Sequence, residues 1–363
     1  MRLVDFSGPG PLLDIFLGLP ALLYAGDPRW VAPSRGALAA AFSPDRPFFQ
    51  AGEARHFLAF SGDRPVGRVT AIRNYRLEAR EGPVGLLGFF ECEPNPATSE
   101  RLLAAAVGHL AAAGLRTIRA PVNFDAWHRS RFMTEGFDEP PILLESYNKR
   151  HYPDLFLGFG FHEIRRDVST EVTDLPAVLR HLLPRHASML ARGCTFRSLQ
   201  DQPLATALHL IYRLAVGACA DEPGYTGISE PEFLSLYGGL GIRLDPDLVL
   251  VAESREGEPA GFLVGFPNTL PRRSGGNGDL PALNILTVAV LPPYRGQGLG
   301  KALVAEVYRR ALRKGYRSAH HCLLREGSPA GRPDAGMGRV HKRYALYEMT
   351  PDDARPAPQA PGR

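Results

Sequence analysis

Twice along this chain of 363 residues, two β-rich runs flank a turn containing glycine and proline, and each time a strand, a helix and a further strand follow. The first hairpin covers residues 56–72, with Gly62, Pro65 and Gly67 at its turn; the second covers 248–266, with Gly257, Pro259 and Gly261. In the first copy a strand from Gly85 to Cys92 leads to a helix starting at Pro96. Asn95 is suited to cap that helix, and proline to its first position. Leu103, Ala106, Val107 and Leu110 make the helix's apolar face, Gly114 ends it, and Leu115–Pro121 reads as strand. In the second copy the strand is Leu283–Val290, and the helix runs from Gly298 to Lys314 with Leu299, Leu303, Val307 and Ala311 at four-residue spacing. Gly315 ends it, and Arg317–Leu324 is the next strand. A strand–helix–strand crossover makes parallel neighbours, whereas a hairpin makes antiparallel ones. The chain is therefore predicted to be α/β: two tandem domains of like topology, each a mixed central sheet flanked by helices.

The expected boundaries are 1–165 for the first domain and 166–350 for the second. The stretch 351–363, with four prolines and no apolar pattern, is expected to be a disordered tail. Helices are predicted at Leu175–Ala191, Ala205–Ala220 and Glu230–Tyr237, with a strand at Cys194–Leu199 and a loop rich in glycine and arginine at Pro271–Asp279.

Net charge bounds the partners. Lysine plus arginine number 42 against 38 acids, a balance of +4 with the basic residues scattered. That suits an anionic small ligand and gives no reason to expect nucleic acid. The apolar stretch Gly10–Tyr24 is interrupted by Asp14 and no small-residue cleavage site follows, so it reads as an amphipathic helix and not a leader. No uncharged apolar run is long enough for a membrane span. Cys92, Cys194, Cys219 and Cys322 form no paired motif, so they read as reduced thiols and the protein as cytoplasmic.

Chemistry concentrates in Thr287-Val288-Ala289-Val290-Leu291-Pro292-Pro293-Tyr294-Arg295-Gly296-Gln297-Gly298-Leu299-Gly300-Lys301. A β-branched strand enters a proline-punctuated turn, then a glycine-rich loop, then a helix. Glycines let backbone N–H groups approach an anion, and the helix N-terminus adds a positive dipole end. This is a pyrophosphate cradle. It has neither the Gly-Lys-Ser/Thr ending of a Walker loop nor the dinucleotide glycine fingerprint.

On these residues the second copy resembles the GNAT N-acetyltransferase superfamily. Arg295-x-x-Gly298-x-Gly300 after Val-Ala-Val-x-Pro is similar to that family's cofactor motif, and element order agrees over roughly residues 195–349. The resemblance implies acetyl-CoA, or another acyl-CoA, as co-substrate and a primary amine, of a small molecule or a protein, as acceptor. Main-chain groups of Val288 and Val290 would hold pantetheine, and Arg295 and the segment Gln297, Gly298, Leu299, Gly300 and Lys301 the pyrophosphate. The implied activity is N-acyl transfer by direct attack of the amine on the thioester.

Such a reaction calls for a base, an oxyanion donor and an acid for the leaving thiolate. The family's usual tyrosine helix is missing, because Arg325–Gly338 holds four glycines and two prolines. Tyr344, and beside it Tyr347, are the nearest candidates for the acid, with sheet packing as the competing role. His320 and His321 are candidates for the base. They lie on the strand preceding that segment, where His320 and Cys322 face one way and His321 the other. Asp221 and Glu222, in the loop Cys219–Tyr225, are candidates to attract a cationic amine. No ligand pair has metal-type spacing, so no metal is expected.

The first copy replaces the glycine loop with Glu93-Pro94-Asn95-Pro96-Ala97-Thr98-Ser99-Glu100, which removes N–H donors and repels phosphate. Yet Tyr147-Asn148-Lys149-Arg150-His151-Tyr152, followed by Gly158-Phe159-Gly160-Phe161, resembles the family's asparagine, tyrosine and Gly-Phe ending. The first domain is therefore expected to be a degenerate copy, as in bacterial tandem proteins of this kind. Two further classes stay open: a non-catalytic acyl-CoA sensor, and an aminoacyl-tRNA-dependent ligase of the FemX type, which does not need the glycine cradle.

Overall fold

The computed structural model describes residues 1–200, 202–239, 245–270, 282–328 and 336–354. The first half comprises β1 (Arg2–Phe6), α1 (Pro11–Leu23), α2 (Arg35–Ala41), β2 (Gly52–Ser61), β3 (Arg64–Asn74), α3 (Tyr75–Glu81), β4 (Val84–Cys92), α4 (Pro96–Ala112), β5 (Thr117–Ala120), β6 (Phe132–Glu135) and α5 (Tyr152–Phe159). Then come β7 (His162–Val172), α6 (Leu175–Ala191), β8 (Thr195–Ser198), α7 (Leu204–Cys219), α8 (Glu230–Tyr237), β9 (Val249–Glu253), β10 (Pro259–Pro267), β11 (Leu283–Val290), α9 (Leu299–Arg313), β12 (Ala319–Arg325) and β13 (Arg339–Met349).

Both predicted hairpins and both strand–helix–strand crossovers are present. β2 pairs antiparallel with β3 and β9 with β10, while β4 pairs parallel with β5 and β11 with β12. Asn95 caps α4, its Oδ1 accepting from Thr98 N at 3.2 Å, with Pro96 in the first turn. β1, β6, β7, α2 and α3 were not anticipated; most are short and lack a pattern that distinguishes them from loop.

The halves are not separate sheets. Among the described residues all the strands join in one sheet, in the order β1-β2-β3-β4-β5-β13-β7-β12-β11-β10-β9-β8, with β6 on β13. β7 lies beside β12 of the second half, and β13, near the chain's end, lies beside β5 of the first. The expected boundary between residues 165 and 166 falls inside β7, and a strand assigned to the second domain completes the first half's sheet. The reason is that β7 and β13 pair with each other along most of their length, from Arg339–Glu171 to Glu348–His162. Strand partners are chosen by long-range hydrogen bonding, which leaves no mark at the point where the chain crosses over.

In the second half one core lies between the sheet and α6 with α9. It holds Leu182, Met189, Leu250, Leu263, Ile285, Leu303 and Val307. Helix α6, which precedes the repeat in sequence, thus lies against α9, the motif's helix. A separate core on the opposite face holds α7 and α8 against Val251 and Phe262. The expected tail begins with a 3-10 turn at Pro351–Asp353, and residues 355–363 lie outside the described set, as does the whole of the predicted loop Pro271–Asp279. No helix among the described residues is long and apolar enough to cross a membrane.

Candidate active site

β11 and β12 pair at only three positions, Leu283–Ala319, Asn284–His320 and Ile285–His321, and then part. β11 continues to Val290 along β10, while β12 runs on to Arg325 along β7. Burial follows this fork: Leu283, Asn284 and Ile285 are buried, and every residue of β11 from Leu286 to Val290 is partly open. A strand edge with unspent backbone groups, open on one side, is what an amide-bearing pantetheine arm needs.

At the far end of β11 the glycine loop enters α9. Gly296 and Gly298 have φ of +76° and +92°, a left-handed conformation that glycine adopts without strain. Gly298 is the N-cap of α9 and no side chain caps the helix, so its first-turn N–H groups and dipole are available to an anion. Gly300 faces Val288 and Val290: a Cβ there would sit 3.7 Å and 3.8 Å from their side chains. Leu299 is buried in the core and fixes the loop's depth. Lys301 is half-buried in the first turn. Gln297 donates to the Pro293 carbonyl at 3.2 Å.

Arg295 is turned another way. Its guanidinium donates to Ala218 O at 2.7 Å and Val290 O at 3.1 Å, and pairs with Asp221 at 3.3 Å. It ties the end of α7 to the end of β11. A cation that the motif did not include lies nearer the loop: the Cδ of Arg185, on α6, is 3.4 Å from where a Cβ on Gly298 would be. Arg185 makes no ion pair with any described residue.

The first half has a like fork, but a closed one. β4 and β5 pair only from Val84–Thr117 to Leu86–Arg119. Beyond that, Val122 N donates to Leu87 O at 2.8 Å, and Asn123 Oδ1 accepts from Phe89 N at 2.8 Å. The chain after β5 thus occupies the gap.

The candidate catalytic residues separate. His320 is buried and its Nδ1 is 2.9 Å from Asn284 Oδ1. His321 points to the other face, with its Nε2 2.7 Å from the hydroxyl of Tyr308 on α9. Tyr344 is fully buried and donates to the carboxylate of Glu145, which also accepts from Ser169 Oγ at 2.5 Å. Burial and the adjacent Glu145 push the Tyr344 hydroxyl's pKa well up, and burial raises that of Glu145 itself. Tyr347 packs beside Phe132 in the first half's core. Glu222 is exposed and pairs loosely with Arg325 at 3.6 Å, and Asp221 is exposed beside Arg295.

The loop carrying those two acids is held from the first half. Arg80 donates to Ala220 O at 2.7 Å and Glu222 O at 3.2 Å, Glu81 accepts from Gly224 N at 2.6 Å, and Trp127 Nε1 donates to Thr226 O at 2.7 Å.

Sequence reading missed a row of polar residues crossing four strands. Asn284 on β11, His320 on β12, Glu171 on β7 and Arg339 on β13 are successive register partners. Glu171 lies 3.8 Å from His320 Nε2, and Arg339 donates to it at 2.8 Å. Hydrogen bonding from His320 in its protonated form and from Arg339 holds its carboxyl down to about 2. His341 lies beside His320 with ring centroids 5.0 Å apart and the rings tilted, and burial lowers its pKa to about 4. Glu171, His320 and His341 have ligand-capable atoms within 4.8 Å of one another. Linear spacing, on which the expectation of no metal rested, does not detect such a group, because it is assembled from three strands. Arg339 already bridges Glu171 and Glu139, supplying a resident positive charge there.

A family model described as the acetyltransferase (GNAT) family matches residues 219–325, from the end of α7 to the end of β12. Among curated proteins the chain is 29% identical over 262 residues to a bacterial ceramide synthase of Caulobacter vibrioides, covering 70% of this chain and 67% of that one. It is 25% identical over 282 residues to protein YghO of Escherichia coli, covering 74% and 69%. Among solved structures it resembles a tandem GNAT protein from the clavulanic acid biosynthesis pathway, at 14% identity and a TM-score of 0.54 over 96% of this chain and 98% of that one. Fork, cradle and duplicated fold together define a tandem-domain acyltransferase architecture. Residues 219–325 match the GNAT acetyltransferase family, and the chain as a whole has the fold of a tandem protein of that kind.

Proposed function

We propose that this protein transfers the acyl group of an acyl-CoA to a primary amine. The observation that carries the reading is the open fork between β11 and β12, which ends at the uncapped, glycine-lined N-terminus of α9. The cradle, with Arg185 beside it, supports pyrophosphate binding, and the open edge at Val288, together with the N–H of Val290, whose carbonyl Arg295 occupies, supports pantetheine. From Val290 back to Ile285 the strand spans about 17 Å at 3.4 Å per residue, so the thioester arrives where the strands meet. His320 stands there as the candidate base. Tyr344, locked onto Glu145 and fully buried, is a poorer candidate for the acid, and a thiolate is a tolerable leaving group without one. Asp221 and Glu222 offer a cationic amine negative charge at the loop clamped by the first half.

Similarity to a ceramide synthase, whose product is a fatty amide of a long-chain amino alcohol, supports a lipid amine as acceptor and an acyl group longer than acetyl. The test is release of CoA from acyl-CoAs of two to eighteen carbons, with long-chain amino alcohols and simple alkylamines as acceptors. Transfer to an amine above hydrolysis supports the reading. Tight binding of acyl-CoA with no transfer to any amine would replace it with a sensor.

A further inference from the structure

We propose that Asn284 has two roles in acyl transfer: its side-chain oxygen sets His320 as the base, and its side-chain N–H receives the oxygen of the reacting thioester. The proposal rests on the acyl-CoA transferase reading above and assigns work to a residue outside the glycine motif.

Asn284 has no exposed surface. Its Oδ1 lies 2.9 Å from His320 Nδ1, so the imidazole donates Nδ1–H and keeps its lone pair on Nε2. The Nδ2 of the same amide has no hydrogen-bond partner among the described residues. Leaving a buried amide donor unpaired is unfavourable, and a packed apolar side chain at this position would avoid that penalty. Asn284 and His320 are also register partners one step inside the last pair of the fork, where the thioester ends. The unspent donor is thus at the reacting end of the slot, and oxyanion stabilisation by a fixed N–H is a large catalytic term.

The groups facing His320 are known from each neighbouring element. Glu171 of β7 lies 3.8 Å from Nε2, His341 and Arg339 of β13 lie beside Glu171, Glu145 lies behind, and Cys322 follows on β12 itself. Glu171 thus faces Nε2, the nitrogen that takes the proton.

The step balances as follows. The acceptor arrives as an ammonium and gives one proton to solvent, and its freed lone pair attacks the thioester carbonyl carbon and forms the C–N bond. The carbonyl π pair moves to oxygen, against Asn284 N–H, and the amine's proton passes to His320 Nε2. The oxygen's pair then re-forms C=O, the C–S bond breaks, and the CoA thiolate leaves with the proton from His320.

Asn284→Ala removes both roles, and Asn284→Asp keeps the acceptor for Nδ1–H but removes the donor. Both variants should bind a non-reactive acyl-CoA thioether within about threefold of wild type, with kcat down by about 10²–10³-fold. The acid limb of kcat/KM should move to lower pH in Asn284→Ala, which loses the imidazolium's acceptor, and to higher pH in Asn284→Asp, which adds a negative charge. Asn284→Asp with wild-type kcat overturns the donor role, and Asn284→Ala with wild-type kcat overturns both. Nitrogen-15 shifts of His320 in the unaltered protein need no variant to fold: the tautomer protonated on Nε2 overturns the assignment. A wild type that transfers normally while both variants keep their kcat sinks this proposal alone. A wild type that binds no acyl-CoA sinks the transferase reading with it.

Discussion

Asn123 accepts a hydrogen bond from the backbone N–H of Phe89 at 2.8 Å, across the gap where β4 and β5 part. The equivalent gap between β11 and β12 carries no such bridge among the described residues. The chain thus has two forks, and the segment after β5 closes the first. One acyl-CoA per chain is therefore expected. Titration calorimetry checks this, and a stoichiometry near two would overturn it.

Gly298→Glu should abolish acyl-CoA binding in a folded protein. The position has φ +92°, which costs a residue with Cβ roughly 1–2 kcal/mol, and the new carboxylate would stand at the anion site. Gly298→Asn, which tolerates the same backbone and adds no charge, should bind more tightly than Gly298→Glu. Circular dichroism and calorimetry on both variants separate strain from charge.

Arg185→Ala should weaken acyl-CoA binding several-fold and flatten its salt dependence, because one cation near the cradle is lost. Arg295→Ala should instead lower the thermal midpoint, since Arg295 joins Ala218 and Val290. Dissociation constants at two ionic strengths, together with melting curves, distinguish the two arginines. Equal salt slopes for Arg185→Ala and wild type would contradict this.

Tyr344→Phe removes the tyrosine's hydrogen bond to the buried Glu145, leaving that from Ser169. The expected result is a destabilisation of about 1–3 kcal/mol with acyl-CoA affinity unchanged. Chemical denaturation measures the first and calorimetry the second. A drop in kcat of about 10²-fold without loss of stability would instead make this tyrosine the acid.

Acid should destabilise the protein in two stages. Burial lowers His341 and His56 to about 4, below their ordinary 6.5, so the fold prefers them neutral. The stability that depends on this is fully present above pH 6.5 and is lost as pH falls towards 4, at most about 3 kcal/mol for each. Glu171, held at about 2, adds a further loss from about pH 4.5 downward. Urea midpoints between pH 8 and 4 report the first stage, and His341→Gln should shrink it. A flat profile over that range would contradict the assignment.

Local chemistry made part of this protein legible in the sequence. Left-handed glycines at 296 and 298, the Asn95-Pro96 start of α4 and the apolar stripe of α9 each act within a few residues, so the hairpins, the crossovers and the cradle could be read directly. The alternation along β12 likewise put His320 and His321 on opposite faces. What joins the halves was not legible. β7 and β13 pair across more than 160 residues of chain, and nothing in either strand names its partner. The same pairing sets Asn284, His320, Glu171 and Arg339 in one row, and Tyr344 against Glu145, a loop residue with no motif. A cradle for an anion is built from consecutive backbone N–H groups, and sequence determines it. The chemistry beside it depends on which side chains strand register brings together from distant segments, and only the tertiary structure decides that.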